Sequence, residues 1–388
     1  MPLTIKHSSI DNFLILLLMI APISPANFAK PLVIIANLLI ILRFLKDRKI
    51  YINYNRIFIF LLMLPGIIIS GLQSPQDLIR FFIILYIIFK FPFNKINLNK
   101  KIIMFFSILI LLYLGLTQIF IYFRVDWLIS YRDVWYASQY SHIFDYQNFF
   151  DPTKIESFSE LIGNYRLGGL FHNPNLLAMI VLLNFFIFEV CYSSLRRKNK
   201  YIYLFILSFS FISLILTYSR TAILGFLIYQ LLKCVDFKKL IQFKINKKVL
   251  VIFIASMLIG LYILKDVLTV FDPGQSGYIK FEILFNNLIN SDLISLFFGG
   301  GHDVMLDSDL GGWIGAFGFI GFAGYLLLLS NIVIINNSLF PFIIALIFMS
   351  IGNTIFYGLL TANICLAYLI ITSSDDTKKL HTQSNKLI

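Results

Sequence analysis

The residues best suited to chemistry begin with a polar stretch at 163–175, which runs directly into a hydrophobic segment. Because Pro174 disfavours helix at the preceding residue and Asn175 is a good N-cap, a helix is predicted to begin at Asn175. Its free N–H groups and positive dipole end would face the same space as Arg166, which suits a phosphate. An ordinary helix start after a turn is the alternative. The candidates for substrate binding in this stretch are His172, Asn173 and Asn175.

A second candidate is Arg220, in the sequence Thr-Tyr-Ser-Arg between two apolar runs. A charge at the outer membrane interface is costly unless it is paired, so Arg220 is a functional candidate, and Tyr218 beside it a substrate-binding one. An arginine that reaches up to lipid headgroups is the alternative. Arg80 poses the same question at the outer end of another apolar run, and an ion pair with Asp77, three residues earlier, is the alternative there.

A third group follows the glycine-rich sequence Phe-Phe-Gly-Gly-Gly and consists of His302, Asp303, Asp307 and Asp309. Glycines let the backbone approach a ligand closely. Asp307, Asp309 or His302 could act as a general base or orient an acceptor hydroxyl, and a solvated acidic turn is the alternative. The order of these residues matches no metal-ligand pattern, so neither a metal nor a cofactor is predicted. The nucleotide-binding and hydrolase motifs GxxxxGK[ST], GxGxxG, GxSxG and HExxH are absent as well.

The composition indicates that membrane-spanning helices position these residues. Hydrophobic residues make up 59% of the 388 and charged residues 13%, whereas soluble domains carry about 25% charge. The net charge is +12, and the Lys and Arg residues lie in short loops between apolar runs. The positive-inside rule describes this pattern for cytoplasmic loops, so the positive charge does not indicate a nucleic-acid partner. Three cysteines lie in or beside apolar segments without ligand-like spacing, which favours core packing.

The apolar runs predict an all-α polytopic protein with about twelve transmembrane helices and with both termini inside. The predicted spans are 11–27, 31–46, 57–73, 77–93, 102–123, 175–195, 201–217, 221–235, 249–265, 312–335, 338–352 and 354–373. The organisation is therefore N-terminal helices at 1–123, a large external loop at 124–174, helices at 175–265, a second external loop at 266–311, and C-terminal helices with a tail at 312–388. Loops of such length in a compact protein are usually functional.

Three of the polar segments that carry the candidate residues, taken together, resemble the O-antigen polymerase and O-antigen ligase superfamily, over about residues 60–340. They are the stretch from Arg166 to Asn175, the sequence from Thr217 to Arg220, and the glycine-rich segment followed by Asp307-Ser308 and Gly318-Phe-Ile-Gly321. The resemblance implies a glycosyltransferase of the GT-C type in the bacterial inner membrane. Such an enzyme uses undecaprenyl-pyrophosphate-linked glycans at the periplasmic face, without nucleotide sugar or metal.

Site roles follow from the same resemblance. Arg166 and Arg220 match two external arginines thought to hold the donor pyrophosphate. The ligase pattern His-Asn/Ser/Gln-x9-Gly-x-x-Gly aligns with Asp307-Ser308-x9-Gly318-x-x-Gly321, so that aspartate stands where ligases have histidine. This departure favours a Wzy-type polymerase. The implied partners are the lipid-linked oligosaccharide, the bilayer and a polysaccharide chain-length regulator.

Two alternatives remain open. An O-antigen ligase of the same superfamily would move finished polymer to lipid A-core. A lipid-linked glycan transporter or flippase would carry its substrate across the membrane, but transporters usually show internal repeats and polar sites near the midplane. In this chain the candidate charges cluster on one external face and no repeat is visible.

Overall fold

The computed structural model describes residues 7–24, 26–46, 50–73, 75–93, 98–123, 174–195, 199–217, 219–234, 286, 292–299, 309–350 and 359–384. Throughout these ranges the regular structure is helical, and they contain no strand. The α-helices are α1 (His7–Ile20), α2 (Ala26–Lys46), α3 (Tyr54–Gln73), α4 (Pro75–Lys90), α5 (Lys100–Tyr122), α6 (Pro174–Ser194), α7 (Lys200–Thr217), α8 (Arg220–Cys234), α9 (Leu293–Phe298), α10 (Asp309–Ile335), α11 (Phe340–Ser350) and α12 (Leu359–Ser384). Short 3-10 helices lie at Ala21–Ile23 and Asn337–Leu339.

Most of the predicted apolar spans within the described residues coincide with helices. The span predicted at 11–27 is instead divided, because α1 ends at Ile20, a 3-10 helix follows at Ala21–Ile23, and α2 begins at Ala26. The span at 249–265 lies outside the described residues, as do parts of the spans at 338–352 and 354–373. By length and composition, four helices in the described ranges can cross a bilayer: Lys100–Phe120, Pro174–Ser194, Lys200–Thr217 and Gly312–Ile335. Six further apolar helical stretches are shorter. These helices indicate an all-helical protein embedded in a membrane. The number of transmembrane spans and the GT-C-like fold stay predictions.

The chain divides into two compact units. The first unit comprises residues 1–48, 91–219 and 360–388, and the second comprises 49–90 and 220–359. The five-part organisation predicted from the loops follows membrane topology rather than packing, so it stays a prediction beside this division.

In the first unit, α6 is the central helix because its surface is apolar almost all round, a pattern typical of a buried helix. Its side chains from Leu177 to Glu189 are buried without interruption. α6 packs against α5 and α7, and α5 approaches α7 closely where a Cβ on Gly115 would lie 2.4 Å from a ring carbon of Phe209. On α1, Asp11 forms an ion pair with Arg43 of α2.

In the second unit, α10 packs along α3 in the opposite direction. Near one end of this contact, a Cβ on Gly66 would lie 2.5 Å from Cα of Phe317. Seven residues further along α10, a Cβ on Gly324 would lie 2.7 Å from Cγ of Met63, which precedes Gly66 by three residues. Glycines at these contacts therefore let the two helix backbones come close together.

Tyr51, just before α3, and Arg56, in its first turn, bind the C-terminal end of α4. The Tyr51 amide donates to the Phe89 carbonyl at 2.9 Å, and a guanidinium N–H of Arg56 donates to the Ile88 carbonyl at 2.9 Å. Arg56 is a buried residue in the first turn of α3. Its positive charge lies beside helix C-terminal carbonyls, which favour a cation.

Candidate functional site

Most of the predicted site residues fall in parts of the chain outside the described ranges. They are Arg166, His172, Asn173, Tyr218, His302 and Asp307. Arg80 lies on α4 and Asp309 begins α10, and only their backbone positions are described. Asn175 and Arg220 are described with their side chains, Asn175 in the first unit and Arg220 at the start of the second.

The N-terminus of α6 lies one residue earlier than predicted. The helix begins at Pro174, and Asn175 is its second residue rather than its N-cap. Proline suits the first helical position because the N–H it lacks has no partner within the helix there. No acidic residue occupies the first turn, so no carboxylate of that turn compensates the positive dipole end. Asn175 is half-buried in the first turn of the helix, and anion binding at this end stays a prediction.

The C-terminal end of α7 is closed by Thr217. The Thr217 hydroxyl donates to the Leu214 carbonyl at 2.6 Å, and its oxygen accepts from the Ser219 amide at 3.3 Å. Both Thr217 and Ser219 are buried, with exposed fractions of 0% and 1%. The Ser219 hydroxyl has no hydrogen-bond partner in the described part of the chain. Arg220 follows Ser219 in the chain and is the first residue of α8.

The position of Arg220 is electrostatically unfavourable for its own helix. It is the first residue of α8 and is half-buried, and no acidic residue occupies that first turn. A cation at a helix N-terminus meets the positive dipole end, which costs about 0.3–1 kcal/mol. The dipole of its own helix therefore does not favour an arginine at this position. A bound anion would be stabilised both by the guanidinium group and by the free N–H groups of the first turn.

The glycine-rich part of the predicted site contains a break in α10. Gly318 has φ 67° inside this helix, in a region that side-chain-bearing residues rarely adopt. A Cβ added to it would lie 2.3 Å from the carbonyl carbon of Phe297. Gly299, with φ 83°, ends α9, and its Cβ would lie 2.2 Å from the carbonyl oxygen of Ala316. The short helix α9 thus rests backbone to backbone against the break in α10.

The second glycine of the Gly318-x-x-Gly321 pattern makes room for an aromatic cluster. A Cβ on Gly321 would lie 2.4 Å from Cβ of Phe317. Phe317 packs on the buried Trp313 with ring centroids 4.7 Å apart, and Trp313 stacks on Tyr325 at 4.4 Å. The two glycines therefore shape the first part of α10. This is the part that begins at Asp309 and follows Asp307-Ser308 in the chain.

Sequence reasoning missed a buried carboxylate on α6. Glu189 has an exposed fraction of 2%, and its Oε1 accepts a hydrogen bond from the Tyr203 hydroxyl of α7 at 2.7 Å. The rings of Tyr192 and Tyr203 stack with centroids 5.2 Å apart, which covers the pair. The signal was available, because a glutamate within an apolar run is a candidate for function by default.

Groups of three or more metal-binding side chains do not occur among the described residues. Comparison with known proteins gives no match to this chain among family models, curated proteins or solved structures.

Proposed function

We propose that this protein is a Wzy-type polysaccharide polymerase that joins O-antigen repeat units at the periplasmic face of the bacterial inner membrane. The observation that supports this most directly is Arg220, which is half-buried as the first residue of α8. Guanidinium and helix N–H groups are donors that suit a pyrophosphate. The same arginine is one of the two that the resemblance assigns to the donor pyrophosphate.

The reaction proceeds by direct displacement at the anomeric carbon of the growing chain. A hydroxyl at the non-reducing end of the incoming repeat unit forms a new bond to C1. The bond from C1 to the undecaprenyl pyrophosphate breaks, and the electron pair leaves with that phosphate. The proton of the hydroxyl passes to Asp307, Asp309 or His302, and the anomeric configuration inverts. Arg166 and Arg220 stabilise the charge that develops on the leaving group.

The proposed enzyme requires no metal and no nucleotide sugar, because the energy is stored in the lipid-linked donor. It has about twelve transmembrane helices in a GT-C-like arrangement, with its active site facing the periplasm. His172, Asn173, Asn175, Tyr218 and Arg80 contact the glycan or the pyrophosphate. A chain-length regulator is the proposed protein partner.

The test is a surface-glycan gel of a deletion strain complemented with variants expressed at wild-type level. We expect Arg220→Ala to collapse the ladder to core plus one unit, because loss of one such donor costs about 10²–10³-fold in rate. Arg220→Lys should retain short polymer, since the charge stays but the two-pronged geometry is lost. The matched control is Lys233→Ala, which removes a cation from the last turn of the same helix and should leave the ladder unchanged.

The accumulated product distinguishes the competing functions. Loss of a polymerase leaves single repeats on lipid A-core, whereas loss of a ligase leaves long polymer on undecaprenyl pyrophosphate. Loss of a flippase leaves no repeat unit on the periplasmic side. A normal ladder from Arg220→Ala at normal protein level would refute the pyrophosphate role, and Arg166→Ala and Asp307→Ala lanes test the remaining assignments.

A further inference from the structure

Four of the five large apolar side chains of the short helix α9 are exposed. With the exposed fraction of each in parentheses, they are Leu293 (72%), Ile294 (70%), Phe297 (46%) and Phe298 (37%). At helical spacing these four residues share one side of α9, whereas Ser295 and Leu296, on the other side, are half-buried. The four exposed side chains, the α9 stripe, carry no charge and no polar atom. An exposed apolar surface of this kind indicates a contact with another molecule or with lipid.

The C-terminal end of α9 rests on the break in α10. A Cβ on Gly318 would lie 2.3 Å from the carbonyl carbon of Phe297, and a Cβ on Gly299 would lie 2.2 Å from the carbonyl oxygen of Ala316. Both glycines are buried. α9 also contacts α3. The C-terminal end of α9 is therefore fixed against α10 at residues 316–318.

This contact lies inside the membrane-spanning part of α10. The apolar span runs from Gly312 to Ile335, which is 24 residues or about 36 Å of helix. The hydrocarbon core of a bilayer is about 30 Å thick, so each end of a centred span extends about 3 Å beyond the core. Gly318 lies six residues, or about 9 Å, from the Gly312 end of the span. The C-terminal end of α9 therefore lies about 6 Å below the surface of the hydrocarbon core.

The helices beside α9 also expose apolar side chains at this depth. A Cβ on Gly66 of α3 would lie 2.5 Å from Cα of Phe317, which sets the register of α3 against α10. Two residues beyond Gly66, Ile68 has an exposed fraction of 53%, and two residues beyond Phe317, Phe319 has one of 40%. Two residues correspond to about 3 Å along a helix. The α9 stripe therefore continues an apolar surface that α3 and α10 present at the same depth.

The N-terminal end of α9 is polar. Asp292 is exposed, and its carboxylate accepts a hydrogen bond from the Ser295 amide at 2.7 Å. Because a carboxylate in hydrocarbon is costly, Asp292 must lie at or above the surface of the hydrocarbon core. It precedes Phe298 by six residues, or about 9 Å of helix, which exceeds the depth of about 6 Å at the other end. α9 is thus long enough to join the two levels.

We propose that α9 is a re-entrant helix whose stripe is embedded among the lipid acyl chains of the leaflet at the Gly312 end of α10. Lipid fits the stripe better than a protein partner, because the stripe lies at membrane depth and offers no charge or hydrogen-bonding group. Irregular backbone at this depth must be covered by protein, and Gly299 and Gly318 are buried accordingly. Part of the loop predicted as external at 266–311 then lies in the membrane. The glycine-rich sequence that follows α9 begins at that depth.

This proposal does not depend on the proposed function, and tryptophan fluorescence of the full-length protein in phosphatidylcholine vesicles tests it. Bromine atoms on the acyl chains of the lipid quench tryptophan only at close contact. The three native tryptophans are replaced by phenylalanine, and Phe297→Trp or Ile294→Trp then introduces a single probe into the stripe. We expect brominated lipid to quench both probes as strongly as Phe319→Trp, the reference on α10. A protein that keeps only Trp313, with an exposed fraction of 2%, is the buried control and should be quenched severalfold less.

Acrylamide, a quencher dissolved in the water, distinguishes the other possibilities. Strong quenching of the stripe probes by acrylamide and weak quenching by brominated lipid would overturn the proposal, because the stripe would then face water. Weak quenching by both agents would also overturn it, since protein would then cover the stripe. In that case, lipid quenching that rises as the protein is diluted into excess lipid would identify a second copy as the cover, and quenching that stays weak would identify another segment of the same chain. Either probe alone decides the outcome, so the failure of one variant to fold does not leave it open.

Discussion

Replacing Gly318 by alanine should destabilise the second unit strongly. The backbone at this position has φ 67° and ψ −179°, which costs a side-chain-bearing residue about 1–3 kcal/mol. The added Cβ would also lie 2.3 Å from the carbonyl of Phe297 and 2.5 Å from the amide nitrogen of Phe298. Both neighbours are backbone, so neither can rotate away, and overpacking of this kind costs about 1–3 kcal/mol more.

The expected loss is therefore about 2–6 kcal/mol, or about 30- to 25,000-fold in the ratio of folded to unfolded protein. Unfolding in mixed micelles of increasing SDS fraction measures it, and fluorescence of the buried Trp313, which stacks on Tyr325, reports the transition. Replacement of the other two tryptophans in the background makes the signal specific to this unit.

The matched control is Gly225→Ala on α8. Its Cβ would meet Cγ and Sδ of Met349 at 2.5 and 2.6 Å, but a methionine side chain can move aside. Alanine also gains about 0.5–1 kcal/mol over glycine within a helix, so the net change should stay within about 1 kcal/mol of zero. Equal losses for the two variants, or a larger one for Gly225→Ala, would refute the argument from backbone contact at Gly318.

Two further predictions concern the ion pair between Asp11 and Arg43 and the Asp292 cap of α9. Asp11→Ala should lower the free energy of unfolding by about 1–3 kcal/mol in the same SDS titration, because it leaves the half-buried Arg43 without its carboxylate. The double variant with Arg43→Ala should recover part of that loss. If the losses of the two single variants simply add in the double variant, the ion pair does not contribute to stability. The backbone hydrogen bond from Ser295 lowers the pKa of the exposed Asp292 below its ordinary value. Its support of α9 is therefore present above that ordinary value and lost as pH falls through the lowered pKa. The NMR resonance of the Ser295 amide should shift with pH, with its midpoint at the lowered pKa of Asp292. A midpoint at or above the ordinary pKa of an aspartate would exclude the cap.

The positions of the helices could be predicted from the sequence because apolar runs bounded by polar residues leave little choice in a membrane. The ends shifted by a few residues, since local bonding decides them. α6 begins at Pro174, and the Thr217 side chain closes the last turn of α7. The break at Gly318 could not be predicted from periodicity, because the apolar pattern continues through it. Its cause is a contact with Phe297, in another helix.

The candidate site was predictable only in part. Arg220 and the start of α6 stand out because charge and proline are rare in such surroundings. The pairing of Gln118 on α5 with Ser213 on α7 escaped notice because neutral polar residues of this kind are common in membrane helices. Its meaning comes from a contact across the chain, since the two residues are 95 positions apart. Nothing in a local window indicates such a partner.

The bonds that Tyr51 and Arg56 make to the last carbonyls of α4 bear on how the chain enters the membrane. Tyr51 precedes α3 and Arg56 lies in its first turn, so both are synthesised before the rest of α3, yet their acceptors, Phe89 and Ile88, appear only when α4 is complete. Until then the buried guanidinium of Arg56 has no helix end to bind and must stay in water. We therefore expect α3 and α4 to leave the insertion machinery together as a hairpin, with α3 waiting at its exit until α4 has been translated.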